Sequence, residues 1–454
     1  MFAVALTAVG VVVGPVATPA IADGPIRPDQ WHLDAMHASE MWKTSKGEGV
    51  TIAVIDGGFK LDHPDLEGQF LPGKDFSGGA GGVGSYGDGH GTEMASLIAG
   101  TGKSNGGTGA YGLAPGSKIL PLKINNGTVG PVVSTDFLGQ IGQAVTYSVE
   151  QGAKVINISQ GISSVATSPD DVEKLNKILA WARGKGSLVV SSVGNSADSG
   201  NLVEYPSALP NVVGVGAVGR DVVATSESQQ GPQVILAAPG VDMVEACTGK
   251  TGYCKSHGTS ASSALVSASA ALVWAVHKDW TANQILRVLI NTAGKPTDGS
   301  VRNNDVGYGV VRPRIALTDP GDPGPADVSP LPADAATPSA GPSPSASSSV
   351  SASSVPSASA SPSDVAVGVP TAQPKADASS GSGGSAVPIV AAVVAGLVLV
   401  AGVVFVVVRR RKSAVQPEAG VLPVSSQQPA GGVTPLLPPP YEPPVASEDN
   451  PYTK

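Results

Sequence analysis

From about Gln30 to Leu317, short runs rich in β-branched residues alternate with segments of helical pattern. This alternation predicts strands over Val50 to Ile55, Ile119 to Lys123, Val155 to Ser159, Leu188 to Ser191, Val212 to Val218 and Val234 to Ala238. It predicts helices near His90 to Ala99, Asp136 to Gln151, Pro169 to Arg183, Ser260 to His277 and Ala282 to Asn291. Strand and helix in alternation are the habit of a parallel sheet. The strands are apolar at nearly every position, so both sheet faces should be buried and helices should cover both. The expected class is α/β, a doubly wound, mostly parallel sheet with helices on both faces, forming one domain over residues 30–318.

The flanks follow other patterns. An apolar run from Phe2 to Val13 leads to Ala20-Ile21-Ala22, which fits signal-peptide cleavage before Asp23. No Lys or Arg precedes the run, so the expectation is a signal peptide over 1–22 whose basic n-region lies upstream; a buried core helix is the alternative. Residues 23–29 are then a short N-terminal extension. Between Asp319 and Ser385 almost every residue is Pro, Ala, Ser, Gly, Val, Thr or Asp, too little bulky apolar surface to offset the entropy of ordering. A disordered Pro/Ser/Ala-rich stalk is expected over 319–385, spanning on the order of 45 Å as a coil. Val387 to Val408 carries no charge and, at roughly 33 Å as a helix, is long enough to cross a bilayer. Arg409 to Lys412 follow at once and, by the positive-inside rule, belong in the cytoplasm. The expected topology is a single C-terminal transmembrane helix, an extracytoplasmic domain and a cytoplasmic Pro-rich tail over 409–454. In that tail Pro438-Pro439-Pro440-Tyr441 is either a polyproline ligand for a small recognition domain or plain disordered chain.

Composition sharpens this division. The 58 Gly and 39 Pro among 454 residues exclude one uniform globule. A net charge of −8 argues against nucleic acid as a partner held by a basic surface. Two cysteines cannot build a disulfide scaffold or a four-cysteine metal site.

Three distant segments carry candidate chemistry. Asp56 ends the first strand, before Gly57-Gly58, in the crevice where open α/β sheets place ligands; a strand-capping Asp is the plainer alternative. His90 opens a helix beside Gly91, whereas His32, His37, His63, His257 and His277 lie in turn-like or amphipathic contexts that suit surface or packing roles. Ser260 stands at a helix N-terminus, where free N–H groups favour developing negative charge, although serine is also a common N-cap. The three together decide between these alternatives. Asp, His and Ser in that chain order, on the carboxyl edge of a parallel sheet, match the subtilisin order of the catalytic triad. A fourth segment, Leu188 to Asn195, ends by presenting an amide at the same edge.

The chain resembles the subtilisin-like serine peptidases over roughly Gln30 to Leu317, in Asp56-Gly57-Gly58, His90-Gly91-Thr92, Gly258-Thr259-Ser260 and Asn195. His63-Pro64-Asp65-Leu66, Gly112-Leu113-Ala114-Pro115 and Val155 to Gly161 are also similar. A Thr is usual where Gly57 stands, and a Pro where Ala264 stands. The resemblance implies a subtilisin-like fold and a serine endopeptidase. Ser260 is then the nucleophile, His90 the general base and acid, Asp56 its orienting partner, and Asn195 an oxyanion donor. Ser159, Gln160 and Gly161 would bind substrate backbone in extended conformation. No metal or other cofactor is needed for the reaction. Asp65 resembles a family calcium ligand, but the partner loop, Thr101 to Tyr111, departs in length and is rich in Gly, so structural calcium stays open.

Outside the cytoplasm Cys247 and Cys254 should form a disulfide, with two unlinked thiols as the alternative. Signal peptide, disulfide-bearing domain, Pro-rich stalk and single C-terminal span together resemble the mycosins, membrane-anchored peptidases of actinobacterial type VII secretion systems. That resemblance implies the secretion membrane complex as a partner. Bracing such a complex with proteolysis secondary, or general surface proteolysis, are the other readings.

Overall fold

The computed structural model describes residues 24–127 and 134–332. The expected signal peptide, most of the stalk, the expected transmembrane segment and the tail lie outside the described residues. The strands are β1 (Thr51–Asp56), β2 (Lys74–Asp75), β3 (Lys118–Lys123), β4 (Val155–Ile158), β5 (Ile162–Ser163), β6 (Leu188–Ser192), β7 (Glu204–Tyr205), β8 (Val212–Val218), β9 (Val234–Pro239), β10 (Met243–Ala246) and β11 (Tyr253–Ser256). The helices are α1 (Trp31–Ala35), α2 (Ala38–Met41), α3 (His90–Ala99), α4 (Ser104–Gly107, one irregular turn), α5 (Ser134–Glu150), α6 (Pro169–Gly184), α7 (Thr259–Val276), α8 (Ala282–Thr292) and α9 (Pro313–Thr318).

Seven strands form a sheet in the order β2-β3-β1-β4-β6-β8-β9, with every neighbouring pair parallel. The chain passes from β1 to β3 on one side, then returns to β4 on the other, so the winding reverses about β1. Ligand crevices form at such reversals, outside the carboxyl ends of the strands. Alternate residues of β1 enter different cores, as a two-faced sheet requires. Ile52 and Val54 pack with α3, α7 and α8, while Ala53 and Ile55 pack with α5 and α6. The doubly wound α/β architecture is as expected, with strand and helix ends within two residues of those read from the pattern.

Helix α7 is long and apolar enough to cross a membrane by composition, but it is buried from Thr259 to Trp274. A helix apolar all round is a core helix when sheet and helices surround it, and α7 packs beneath β4, β6, β8 and β9.

The structure corrects one boundary. Residues 319–332, expected as the start of the stalk, pack against the domain instead: Arg287 on α8 donates to the carbonyls of Pro323, Pro325 and Val328, and Leu331 is buried in the main core. The guanidinium supplies the partners that this Pro-rich backbone lacks, so composition alone understated its order.

Candidate active site

Three adjacent strands, β1, β4 and β6, deliver Asp56, the segment 159–161 and Asn195 to one edge of the sheet. The N-termini of α3 and α7 bring His90 and Ser260 to the same edge. Close approach of α3 to β1 requires Gly91, where a Cβ would meet the Gly58 carbonyl oxygen at 2.5 Å and the Asp56 Cβ at 3.0 Å. Gly57, where the family usually has Thr, leaves room for the Asn126 amide, whose Nδ2 would lie 2.2 Å from an added Cβ.

Asp56 is fully buried, and both of its carboxylate oxygens lie 2.9 Å from His90 Nδ1. The carboxylate also accepts from the Gly57 N–H at 2.7 Å and from Gln160 Nε2 at 3.0 Å. With its Nδ1 proton held by Asp56, His90 carries its lone pair on Nε2, which is buried and has no hydrogen-bond partner. Burial alone would push the imidazole down. The Asp56 charge and hydrogen bond, aided by Glu93 and Asp88, outweigh it and lift His90 to about 9. Gln160 Nε2 also sits 3.1 Å from His90 Nδ1, but two donors cannot bond each other, so its proton goes to Asp56.

Ser260 Oγ donates to the Ser159 carbonyl at 3.2 Å. The Ser159 hydroxyl lies 2.9 Å from Ser263 Oγ, bonds the Ser260 carbonyl at 3.2 Å and accepts from Asn157, which ties the end of β4 to α7. The sequence reading placed Ser159, Gln160 and Gly161 against substrate. In the structure both polar side chains of this segment turn inward, Ser159 to Ser263 and the Ser260 carbonyl and Gln160 to Asp56, so only the segment's backbone is left to pair with substrate.

Asn195 is oriented by Thr259, whose N–H and Oγ1 both donate to Asn195 Oδ1, at 2.8 and 2.9 Å. With Oδ1 occupied, Nδ2 is the free end of the amide. Ser260 N–H lies in the first turn of α7, where helix geometry supplies no acceptor. Both donors are held at the N-terminal end of α7, an arrangement that can bind an oxyanion.

Several buried groups here were not singled out from sequence. Glu93 lies one turn along α3 from His90, and burial pushes its carboxyl up to about 7. Glu245 on β10 is fully buried; burial and then the neighbouring Glu93 hold it well above the ordinary range. Glu204 on β7 is half-buried and, chiefly through desolvation, is also raised to about 7. A carboxylate in a polar run carries no sequence signal of burial. His32 and His63 are both buried; His63 bonds the Gly252 carbonyl at 2.9 Å, whereas neither ring nitrogen of His32 has a partner.

Cys247 and Cys254 are joined in a disulfide across the β10–β11 hairpin. Glu93 is near both sulfurs, but the sulfurs are bonded to each other and offer no thiolate to a metal. Asp65 does not fit a calcium ligand here: its carboxylate accepts from the Ser104 and Ala110 N–H groups and from the Tyr253 hydroxyl, at 2.8, 2.9 and 2.8 Å. Donors on both oxygens satisfy the anion without a cation.

The profile of the subtilase family, Peptidase S8, matches residues 47–309. The chain is 35% identical to the thermophilic serine proteinase of Bacillus sp. (strain AK1), over 51% of this chain and only 54% of that protein. It is 34% identical to the major intracellular serine protease of Bacillus subtilis (strain 168), over 53% of this chain and 73% of that one. Among solved structures it is similar to MycP1 from Mycobacterium smegmatis, at TM-score 0.59 and 28% identity, covering 70% of this chain and 92% of that one. It is also similar to the MycP3 protease from the type VII (ESX-3) secretion system, at TM-score 0.56 and 29% identity, covering 67% and 91%. With the fold, the order of the site segments and the family profile in agreement, the chain belongs to the subtilase family of subtilisin-like serine peptidases.

Proposed function

We propose that this protein is a membrane-anchored, extracytoplasmic serine endopeptidase of the mycosin type, acting on extended segments of proteins handled by a type VII secretion system. The observation that carries the catalytic part is the clamp of Asp56 on His90 Nδ1 with the buried Nε2 left unpaired. On substrate binding the Ser260 hydroxyl turns from the Ser159 carbonyl to His90 Nε2, gives up its proton and attacks the peptide carbonyl. Asn195 Nδ2 and Ser260 N–H take the oxyanion, and His90 returns the proton to the leaving amine. Asp56 holds the ring in one tautomer throughout and stabilises its charged form.

The anchor rests on the uncharged stretch 387–408 followed by Arg409 to Lys412. Support for the secretion role comes from likeness to MycP1, described as an essential component of the type VII (ESX-1) secretion system. A strain carrying Ser260→Ala is compared with one lacking the whole chain. Loss of substrate processing in both is expected. Secretion that fails only on full deletion would make bracing of the complex the main role, and processing that survives Ser260→Ala would overturn the catalytic assignment.

A further inference from the structure

We propose that Glu204 makes this site select a lysine or arginine side chain immediately before the scissile bond. The inference rests on the peptidase reading above and adds the substrate class.

The strands β4 and β6 are neighbours whose last register pair is Ile158 and Ser191, and their continuations, 159–161 and 193–195, run past the sheet edge outside that ladder. A peptide carbonyl within reach of Ser260, with its oxygen at Asn195, lies over that gap. The side chain on its acyl side is then directed between the two continuations. Each wall is bare at one glycine, Gly161 on one side and Gly194 on the other.

Glu204 fills the inner end of this slot. A Cβ on Gly161 would lie 2.6 Å from Glu204 Oε2, and one on Gly194 would lie 2.7 Å from Glu204 Cδ. The carboxylate is therefore against both walls. Its position is fixed by backbone pairing, because Ser163, two residues beyond the 159–161 segment, is the register partner of Glu204 between β5 and β7. Oε1 accepts from Gln229 Nε2 at 3.0 Å, and Gln229 is held in turn by Ser196 Oγ at 2.7 Å and by the bond of its own N–H to the Gly194 carbonyl at 3.0 Å. Oε2 accepts no hydrogen bond from the described residues. Among those residues no Lys, Arg or His forms an ion pair with Glu204.

A half-buried carboxylate with one anchored oxygen and one open oxygen is costly to cover with an apolar group, which would strip its remaining water and supply no donor. An ammonium or guanidinium supplies both charge and donors, and a carboxylate side chain would be repelled. The other buried glutamates do not compete for this role. Glu245 is fully buried, and Glu93 lies on α3 beside the disulfide.

The test uses the purified full chain and fluorogenic peptides that differ only in the residue before the cleaved bond: Lys, Arg, norleucine, Ala or Glu. Norleucine matches the lysine stem without its charge. The expected kcat/KM for Lys and Arg exceeds that for norleucine by about tenfold or more, with Glu lowest. In Glu204→Gln the Lys-to-norleucine ratio collapses toward one, whereas Glu204→Asp keeps a preference for the cation. Where turnover is slow, peptide aldehydes ending in lysinal or norleucinal, competing with a fluorophosphonate probe, read the same ratio. A wild-type ratio near one, a best substrate with Ala, or a lysine preference that survives in Glu204→Gln overturns the inference, while probe labelling leaves the peptidase reading standing. Absence of both labelling and cleavage overturns the two together.

Discussion

Gly258 is the position where a single methyl group tests how the oxyanion site is held. It precedes α7 with φ 120° and ψ 172°, a backbone region open essentially to glycine alone, and its ideal Cβ would lie 2.8 Å from Asn195 Nδ2 and 3.2 Å from Asn195 Cγ. Restoring an ordinary 3.4 Å contact requires Asn195 to move by about 0.6 Å, because the collision is with the amide itself. The Asn195 amide cannot simply yield, since its Oδ1 is held by two Thr259 donors. Gly258→Ala is therefore expected to lower kcat by about 10²–10³-fold with little change in KM, the typical cost of losing one oxyanion donor. Backbone strain should cost a further ~1–3 kcal/mol of stability, read by urea denaturation. A double-mutant cycle separates the routes. If the methyl acts through Asn195, adding Gly258→Ala to Asn195→Ala costs little more kcat. Losses that multiply, to about 10⁴-fold or more, would place the damage at Ser260, and a Gly258→Ala enzyme with near wild-type kcat would refute the argument altogether.

Other consequences are as direct. His90 is lifted by Asp56, Glu93 and Asp88 against the effect of burial, and it must be neutral to act as a base, so kcat/KM should rise with pH through a midpoint above 6.5. Glu93→Gln removes one lifting charge and should move that midpoint down; an unchanged or higher midpoint contradicts the coupling. His32 is fully buried and held neutral, lowered to about 3 by burial first and then by Arg27 and Arg220. The unfolded chain binds that proton near pH 6.5, so stability present above 6.5 is lost as pH falls toward 3. Wild type should lose up to ~1.4 kcal/mol per pH unit more than His32→Phe across that window, and equal slopes in urea titrations would refute it. Removing the disulfide in Cys247→Ser/Cys254→Ser should cost about 2.5 kcal/mol by loop entropy, and thermal denaturation insensitive to the change would show that the hairpin is held by other contacts.

The fold was legible because buried parallel strands are continuous apolar runs: β8 is buried at every one of its 7 positions and was read end to end. Helix α3 was read from His90 to Ala99 for a similar reason, a defined start beside glycine and an apolar continuation. The antiparallel hairpin β10–β11 was missed, since Glu245 and Lys255 break its apolar pattern and its burial comes from packing on α3. Asp56, His90, Ser260 and Asn195 could be singled out because each lies at or within a few residues of an element's end in a recognisable local sequence. The inward turn of Ser159 and Gln160 could not, because alternation along an irregular segment does not fix side-chain direction. Glu93, Glu204 and Glu245 became visible only once distant elements met around them, and a carboxylate's burial is a tertiary fact.

The central claim is that Ser260 is made nucleophilic by His90, itself held by Asp56. A fluorophosphonate probe applied to the purified protein, with the adduct mapped by peptide mass spectrometry, tests it most directly. The account predicts modification of Ser260 alone, abolished in Ser260→Ala and reduced by orders of magnitude in His90→Ala and Asp56→Ala. An unlabelled wild-type protein under conditions that label a control subtilisin, or an adduct on any other serine, would contradict it.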